Sequence, residues 1–454
     1  MTSPVLARLK VGLALLAMLA QVGAGPAAAF CGFYVAQADS KLFNKSSKVV
    51  LARDGEETAI TMASDYEGDA KQFALVAPVP TFIDRKQIGV VDMRTIDHLD
   101  AYSAPRLVEY FDRDPCEPPQ AFFTMAGGGG FPTKKSARAA PANGVTVEAN
   151  YDVGEYDVSI LSATQSDGLV EWLTGNGYKI PAGAGAVLGS YIKQNMHFFV
   201  AKVNLDRMKL IGAGYLRPLQ VRYRSAKFML PLRLGTLNAQ GPQDMIVFAL
   251  TRNGRLEAAN YPNVKAPSGM DVPLYVKDAF GPFYKAAFDR VVAQQSMRAA
   301  FVEYAWNMGN CDPCAAAPLA PEELVELGAR WTAAEESPPP APGLAPVAPG
   351  PPSRRLIWGG VPAFLTRLHI RYDRQSFPED IAFLETGDQQ SFQARYVLRH
   401  PWTGKATCPA AQAYRDGLPA AFSQQAETLV ALTGWPRAEV EARMAATGQP
   451  PAPH

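Results

Sequence analysis

The chain of 454 residues is poor in the residue types that usually carry out chemistry. It has five histidines and five cysteines. No serine stands in a G-x-S-x-G context, so a hydrolase nucleophile elbow has no support. The four glycines at 127–130 are followed by no Gly-Lys-Ser/Thr and by no helix pattern, which excludes a phosphate-cradling P-loop. An excess of one charge is also missing. The 44 basic side chains fall to 42 once Arg8 and Lys10 are set aside with the leader described below, against 43 acidic ones. Such a balance leaves no electrostatic footprint for nucleic acid or an anionic membrane.

Long apolar runs are scarce as well. The first, Val11 to Ala20, is short of the roughly 20 residues a spanning helix needs. Arg8 and Lys10 precede it, and Pro26 with Ala27-Ala28-Ala29 follows, the pattern of a positive n-region, an apolar core and a small-residue cleavage site. Residues 1–29 therefore read as a signal peptide cleaved near Ala29/Phe30, with an uncleaved anchor as the alternative. Phe30 before Cys31 rules out a lipid-modified cysteine. The mature chain is expected to be periplasmic or extracellular and not membrane-spanning. Its partner would be an unknown protein or envelope component. About 425 mature residues exceed what one core accommodates and predict two or three domains.

Cys31, Cys116, Cys311, Cys314 and Cys408 are all disulfide candidates in an oxidising compartment, and the odd count leaves one unpaired. The expected pairs are Cys31 with Cys116, and Cys408 with Cys311 or Cys314.

The chain predicts an α+β fold: antiparallel β-rich domains with packed helices, plus a Pro-rich linker. Residues 30–116 form an N-terminal β-rich domain. In it, Lys48–Arg53 and Glu56–Met62 flank Asp54-Gly55, a type I′ hairpin signal that would set Arg53 against Glu56. Phe73–Ala77, apolar on both faces, is expected as the third strand of a meander, stopped by Pro78 and Pro80. Ala104–Phe111 is expected to be helical, with Pro105 in its first turn. Residues 117–142 lose all periodicity and read as a flexible low-complexity insertion.

Residues 143–332 form a central α+β domain. After the turn signal Asn143-Gly144, strands are expected at Val145–Glu148 and Tyr156–Leu161, then a helix capped by Asp167 and a second over Ala184–Gln194. Further strands follow at Phe198–Val203, Leu219–Tyr223, Phe228–Leu234 and Met245–Leu250. The longest helical pattern covers 283–308. Residues 333–353, with eight prolines after Ser337, read as a disordered linker. Residues 354–446 supply C-terminal strands and a helix, and 447–454 a tail. There, Phe364–Tyr372 alternates as a half-buried strand with His369 on its polar side, and Phe392–Leu398 is its expected partner.

Several stretches together resemble a bacterial family called domain of unknown function 2330. They are Cys31-Gly32-Phe33-Tyr34-Val35, Asp65–Asp69 through Ala77–Pro80, Ala104–Tyr110, Leu230–Gly235, Arg399-His400-Pro401-Trp402 and Leu432-Thr433-Gly434-Trp435. The resemblance covers nearly the whole mature chain. It implies an exported bacterial protein and supplies no activity, cofactor or functional residue.

Cys311-Asp312-Pro313-Cys314 is the sharpest chemical candidate. A redox C-x-x-C needs its first cysteine at a helix N-terminus, and this one follows the predicted end of a long helix. A Cys₃His zinc site from Cys311, Cys314, Cys408 and His400 has suitable ligand types but no standard spacing. Asp65, Glu67 and Asp69 form an acidic loop without the twelve-residue frame of an EF-hand, and read as a solvated surface turn. No catalytic residue and no cofactor follow from the sequence. It points to an exported, non-catalytic binding or envelope-associated module. The alternative is a thiol-redox or metal-dependent enzyme using Cys311 and Cys314.

Overall fold

The structure is a computed structural model and describes residues 33–36, 43–67, 73–117, 146–210 without 164 and 179, 216–310 without 238 and 240, residue 312, and residues 316–333 and 361–452 without 406. The first half of the chain forms β1 (Phe33–Ala36), β2 (Phe43–Asp54), β3 (Glu57–Glu67), β4 (Phe73–Val79), β5 (Ile88–Val90), α1 (Met93–Ser103) and β6 (Arg106–Phe111). Then come β7 (Thr146–Val153), β8 (Tyr156–Ser162), α2 (Ser166–Gly175), α3 (Ala184–Ile192), β9 (His197–Val203), α4 (Leu205–Leu210), β10 (Leu219–Arg224) and β11 (Met229–Leu230). The second half forms β12 (Gln243–Thr251), β13 (Leu256–Ala258), β14 (Asn263–Lys265), β15 (Met270–Val272), α5 (Phe280–Gln294) and β16 (Ala300–Asn307). It ends with α6 (Pro321–Glu326), β17 (Phe364–Tyr372), β18 (Ile381–Glu385), β19 (Phe392–Gln393), β20 (Arg395–His400), α7 (Pro409–Thr433) and α8 (Arg437–Ala446). The fold is α+β.

Among the described residues, the largest sheet has nine strands in the order β14-β16-β17-β12-β2-β3-β10-β5, with β19 paired to β16. It takes strands from segments 30–116, 143–332 and 354–446 alike. One face packs Val49, Leu51, Val247 and Leu368 against Leu75, Val158, Ile160 and Phe199 of a five-stranded sheet, β1-β4-β9-β8-β7. Its other face packs Val50, Phe248 and Leu365 under Ile96 and Leu99 of α1 and Leu324 of α6. The outer face of the smaller sheet, with Ala74, Val76 and Phe198, is covered by α2 and α3. Four layers result: helices, sheet, sheet, helices. This explains why the β2 and β4 runs are apolar at successive positions, since both faces of each are buried and each large apolar side chain contributes roughly 1.5–3 kcal/mol. Beside the layers, α5, α7 and α8 pack on a three-stranded sheet, β15-β20-β6.

The structure corrects several expectations. The β2–β3 hairpin turns at Gly55-Glu56, one residue later than the Asp-Gly signal, so Arg53 pairs with Thr58 and Asp54 with Glu57. Gly55 has φ +57 and Glu56 a negative φ, the type II′ pattern. Of the acidic stretch, Asp65 and Glu67 lie within strand β3 and not in a turn, and Asp69 lies outside the described residues. β4 leaves this hairpin and pairs with β1 and β9 in the other sheet, with Pro78 inside the strand opposite Phe198. The predicted helix at 104–111 is strand β6. Helix α1 ends at Ser103, Ala104 is already extended, and Pro105 cannot donate to continue the helix.

The 283–308 pattern likewise splits. α5 ends at Gln294, Ser296 and Met297 take positive φ of 51 and 56, and residues 300–307 form β16. Asp167 lies inside the first turn of α2, where a negative charge suits the dipole, while Gln165 holds the cap position without a side-chain bond. Of Phe228–Leu234 only Met229–Leu230 is strand. β17 pairs with β12 and β16, and β20 pairs instead with β6 and β15. Residues 1–29, read above as a signal peptide, Asn143-Gly144, nearly all of 117–142, read as an insertion, and nearly all of 333–353, read as a linker, lie outside the described residues.

Candidate functional site: a cationic cleft beside a buried ion ladder

Two polar constellations lie on the helix-covered side of the nine-stranded sheet. The first is a ladder of alternating charges. Arg367, His369 and Arg371 project from one face of β17, and their cross-strand neighbours on β12 are Phe248, Ile246 and Asp244. Asp244 accepts two bonds from Arg371 at 2.7 Å each, and Arg371 also donates to Asp289 of α5 at 2.6 Å. Glu303 is the extra residue at a bulge between Val302 and Tyr304 of β16. The bulge lets its carboxylate meet Arg367 Nε at 2.6 Å and His369 Nδ1 at 2.8 Å, with the Tyr284 hydroxyl donating as well. Asp100 of α1 accepts from Arg367 and pairs with Lys48 of β2 at 2.8 Å. The Phe288 ring lies flat on the His369 ring, with centroids 3.6 Å apart.

Burial alone would raise the Glu303 pKa, but His369 and Arg367 overcome it and hold the carboxyl at about 2. His369 is raised: burial works against its charge, and Glu303 and Asp244 outweigh that. His369 does lie on the polar side of its strand, with Arg367 and Arg371, but that face is covered and not solvated. It is nearly buried and paired. The Tyr284–Glu303–His369–Asp244 grouping contains an acid, a base and a hydroxyl, yet each is engaged within the protein, and Phe288 stacks on the His369 and Tyr284 rings. It ties α1 and α5 to the sheet.

The second constellation is open. Near the turn end of the β2–β3 hairpin, the sheet face carries the small pair Ala52 and Ala59, and Gly328 settles directly over them. A Cβ on Gly328 would stand 2.3 Å from the Ala59 Cβ, and its φ is +101, so this approach requires glycine. Gln220 Nε2 holds the segment down by donating to the Glu326 carbonyl at 2.8 Å. On the other side, a short turn at Arg85–Gln87 is bound to β10: Gln87 Nε2 donates to the Arg222 carbonyl at 2.8 Å, and Arg222 Nη2 to the Lys86 carbonyl at 2.6 Å. Between the two walls is a cleft of about 230 Å³.

Lys86, Arg222, Arg224 and Arg330 line this cleft, with Trp331 as its aromatic wall and Asp54 and Glu57 as its acids. Asp54 is neutralised by Arg252 at 2.7 and 2.8 Å, and Arg252 also covers the Trp331 ring. Arg224 is offset by Glu56 at 3.5 Å. That leaves Lys86, Arg222 and Arg330, none of which forms an ion pair with a described carboxylate. Burial, and after it the neighbouring Arg330, push the Arg222 pKa down. A second cavity, lined by Ile60, Met62, Pro78 and Phe199 between the sheets, is apolar and about 20 Å³, close to the smallest space that holds one water.

The cysteines are paired differently from expectation. Cys116, in the turn after β6, bonds to Cys408, the cap residue of α7, across a sequence separation of 292. The pairings of Cys116 with Cys31 and of Cys408 with Cys311 or Cys314 are therefore overturned. The reason is topological: β6 lies parallel to β20, which brings the segments following both strands together. Cys408 is thereby removed from the Cys₃His set, and His400 Nε2 meets Glu109 at 2.7 Å while its ring stacks on Phe111. Cys31, Cys311 and Cys314 lie outside the described residues, and among those described no group of three or more His, Cys, Asp or Glu is placed to hold a metal. Asp312 accepts from the Tyr304 hydroxyl at 3.0 Å and from Gln393 at 3.1 Å. Sequence reasoning missed the cleft because its three cations lie at 86, 222 and 330, on no shared motif.

The profile of a family described as "Uncharacterized protein conserved in bacteria (DUF2330)" matches residues 25–384. No curated protein and no solved structure matches the chain. No helix among the described residues is long and apolar enough to cross a membrane.

Proposed function

Because the chain belongs to the DUF2330 family, we propose its role from its own geometry: it works outside the cytoplasm as a non-catalytic binding module whose ligand site is the cleft beside Trp331. The observation that carries this reading is the cleft's lining. It offers cations, an indole and small apolar side chains, with no nucleophile paired to a base. The Cys116–Cys408 disulfide supports the location, since such bonds persist in oxidising compartments. The leader pattern at residues 1–29 supports it independently.

The test starts from protein recovered from the periplasm of an expressing cell. The mature N-terminus is expected near Phe30, with one free thiol and no stoichiometric metal. In-cell crosslinking from the rim of the cleft would then capture what it binds. A full-length chain retained in the cytoplasm refutes the location. Stoichiometric zinc, or a Cys311–Cys314 pair that turns over dithiols, refutes the non-catalytic role and supports a metal or thiol enzyme.

A further inference from the structure

We propose that the cleft takes a small molecule by a dianionic head group of the phosphate-monoester type, held by Lys86, Arg222 and Arg330 with its body against Trp331. The inference deepens the binding-module reading and rests on it. Three cations without an ion-pair partner converge on one concave space, where Asp54 is already taken by Arg252 and Glu57 is the single lining carboxylate left to offset them. Arg330 lines the same cleft closely enough to work, after burial, against the charge of Arg222, a repulsion that a shared anion relieves. Nearby cations that need no ligand are visibly different, because Arg252 has Asp54 and Arg224 has Glu56. Guanidinium groups bind phosphate or carboxylate oxygens in pairs, and a lysine adds a point charge. A single carboxylate supplies one charge for three cations, whereas a phosphate monoester supplies about two.

Size limits the ligand. The cleft holds about 230 Å³, below the range of roughly 300–1,000 Å³ typical of drug-sized pockets. Its interior seats a head group and a short body, and any longer part of a ligand would lie outside the open mouth. The Trp331 ring gives that body an apolar surface against which a planar or ring-shaped group can lie.

The direct test is calorimetric titration of the full mature protein with phenyl phosphate at low salt, with phenyl sulfate and phenol as monoanionic and neutral counterparts and inorganic phosphate as competitor. Phenyl phosphate is expected to bind saturably, at least tenfold more tightly than phenyl sulfate, and to be displaced by inorganic phosphate. Lys86→Met and Arg330→Met should each weaken it by about tenfold, equivalent to roughly 1.4 kcal/mol. Both side chains are exposed and make no structural bond among the described residues, so both variants should keep the wild-type melting temperature. Lys202→Met, which removes the same charge from β9 in the other sheet, should change affinity less than twofold. No saturable binding of phenyl phosphate overturns the proposal, as does equal loss in Lys202→Met and Arg330→Met. Binding of phenol or phenyl sulfate as tight as phenyl phosphate, lost on Trp331→Ala, overturns the dianion but leaves the binding module standing.

Discussion

Glu303→Gln is the substitution that most directly interrogates the ion ladder. The carboxylate is fully buried and faces Arg367 Nε at 2.6 Å and His369 Nδ1 at 2.8 Å. Glutamine keeps the shape and removes the charge. Arg367 cannot deprotonate, so it keeps its charge with Asp100 as its remaining carboxylate partner. Removing one partner of a buried pair costs about 3–5 kcal/mol. At the roughly 2 °C per kcal/mol appropriate to a large chain, the melting temperature should fall by about 6–10 °C. The pH dependence is the sharper criterion. Glu303 has its pKa lowered from 4.5 to about 2, so its contribution is complete above 4.5 and is lost as pH falls towards 2. His369 has its pKa raised above 6.5, so its contribution is complete below 6.5 and is lost as pH rises through the folded value. The gap between wild type and variant should therefore be widest between pH 4.5 and 6.5 and narrower at 8.5. Scanning calorimetry at pH 5.5 and 8.5 measures it. A difference under about 1 kcal/mol at pH 5.5, or one that grows towards pH 8.5, refutes the account.

Other consequences are as concrete. Gly328→Ala should cost about 2–4 kcal/mol, since it combines a strained positive φ with a Cβ placed against Ala59, and thermal melts of the variant measure this. Removing the disulfide by Cys116→Ser with Cys408→Ser should lower stability by about 2–4 kcal/mol, and non-reducing peptide maps of the parent should show 116 joined to 408. Since that bond leaves Cys31, Cys311 and Cys314 for at most one more, thiol titration in denaturant without reductant should find at least one free thiol; none would mean a bond between chains. His98, whose pKa is raised chiefly by its bond to Glu323, should add under about 1 kcal/mol, present below pH 6.5 and lost as pH rises, measurable by comparing His98→Asn melts at pH 5.5 and 8.5.

Local pattern reached the strands and failed at their pairing. Phe364–Tyr372 alternates, and it is β17 as read. Phe73–Ala77 is apolar on both faces because Leu75 enters the core between the sheets while Ala74 and Val76 meet α2 and α3. Nothing local says that this strand abandons its neighbouring hairpin for β9, more than a hundred residues away. The two helix misreadings share one cause. In Arg106–Phe111 and Ala300–Asn307 the apolar residues are dense enough to satisfy either period, and β-branched or aromatic types should have decided for strand.

Site residues were legible only where they form a motif. The C-x-x-C and the acidic stretch attracted attention by spacing, whereas the cleft has no spacing to find. What would have been visible is smallness: Ala52, Ala59 and Gly328 are the residues that let a turn lie close on a sheet, and each is unremarkable alone. The same rule explains the ladder. Its six ionisable side chains on β2, β12, β16 and β17 are ordinary polar residues until the bulge at Val302/Tyr304 turns Glu303 onto the face carrying His369. There the charges cancel by mutual pairing and need nothing from solvent. In the cleft they do not cancel, for Lys86, Arg222 and Arg330 outnumber the carboxylates free to meet them. Two polar groups on one sheet face thus reach opposite ends, one closed and structural, the other open and short of negative charge. That shortage is the physical reason for placing the ligand in the cleft.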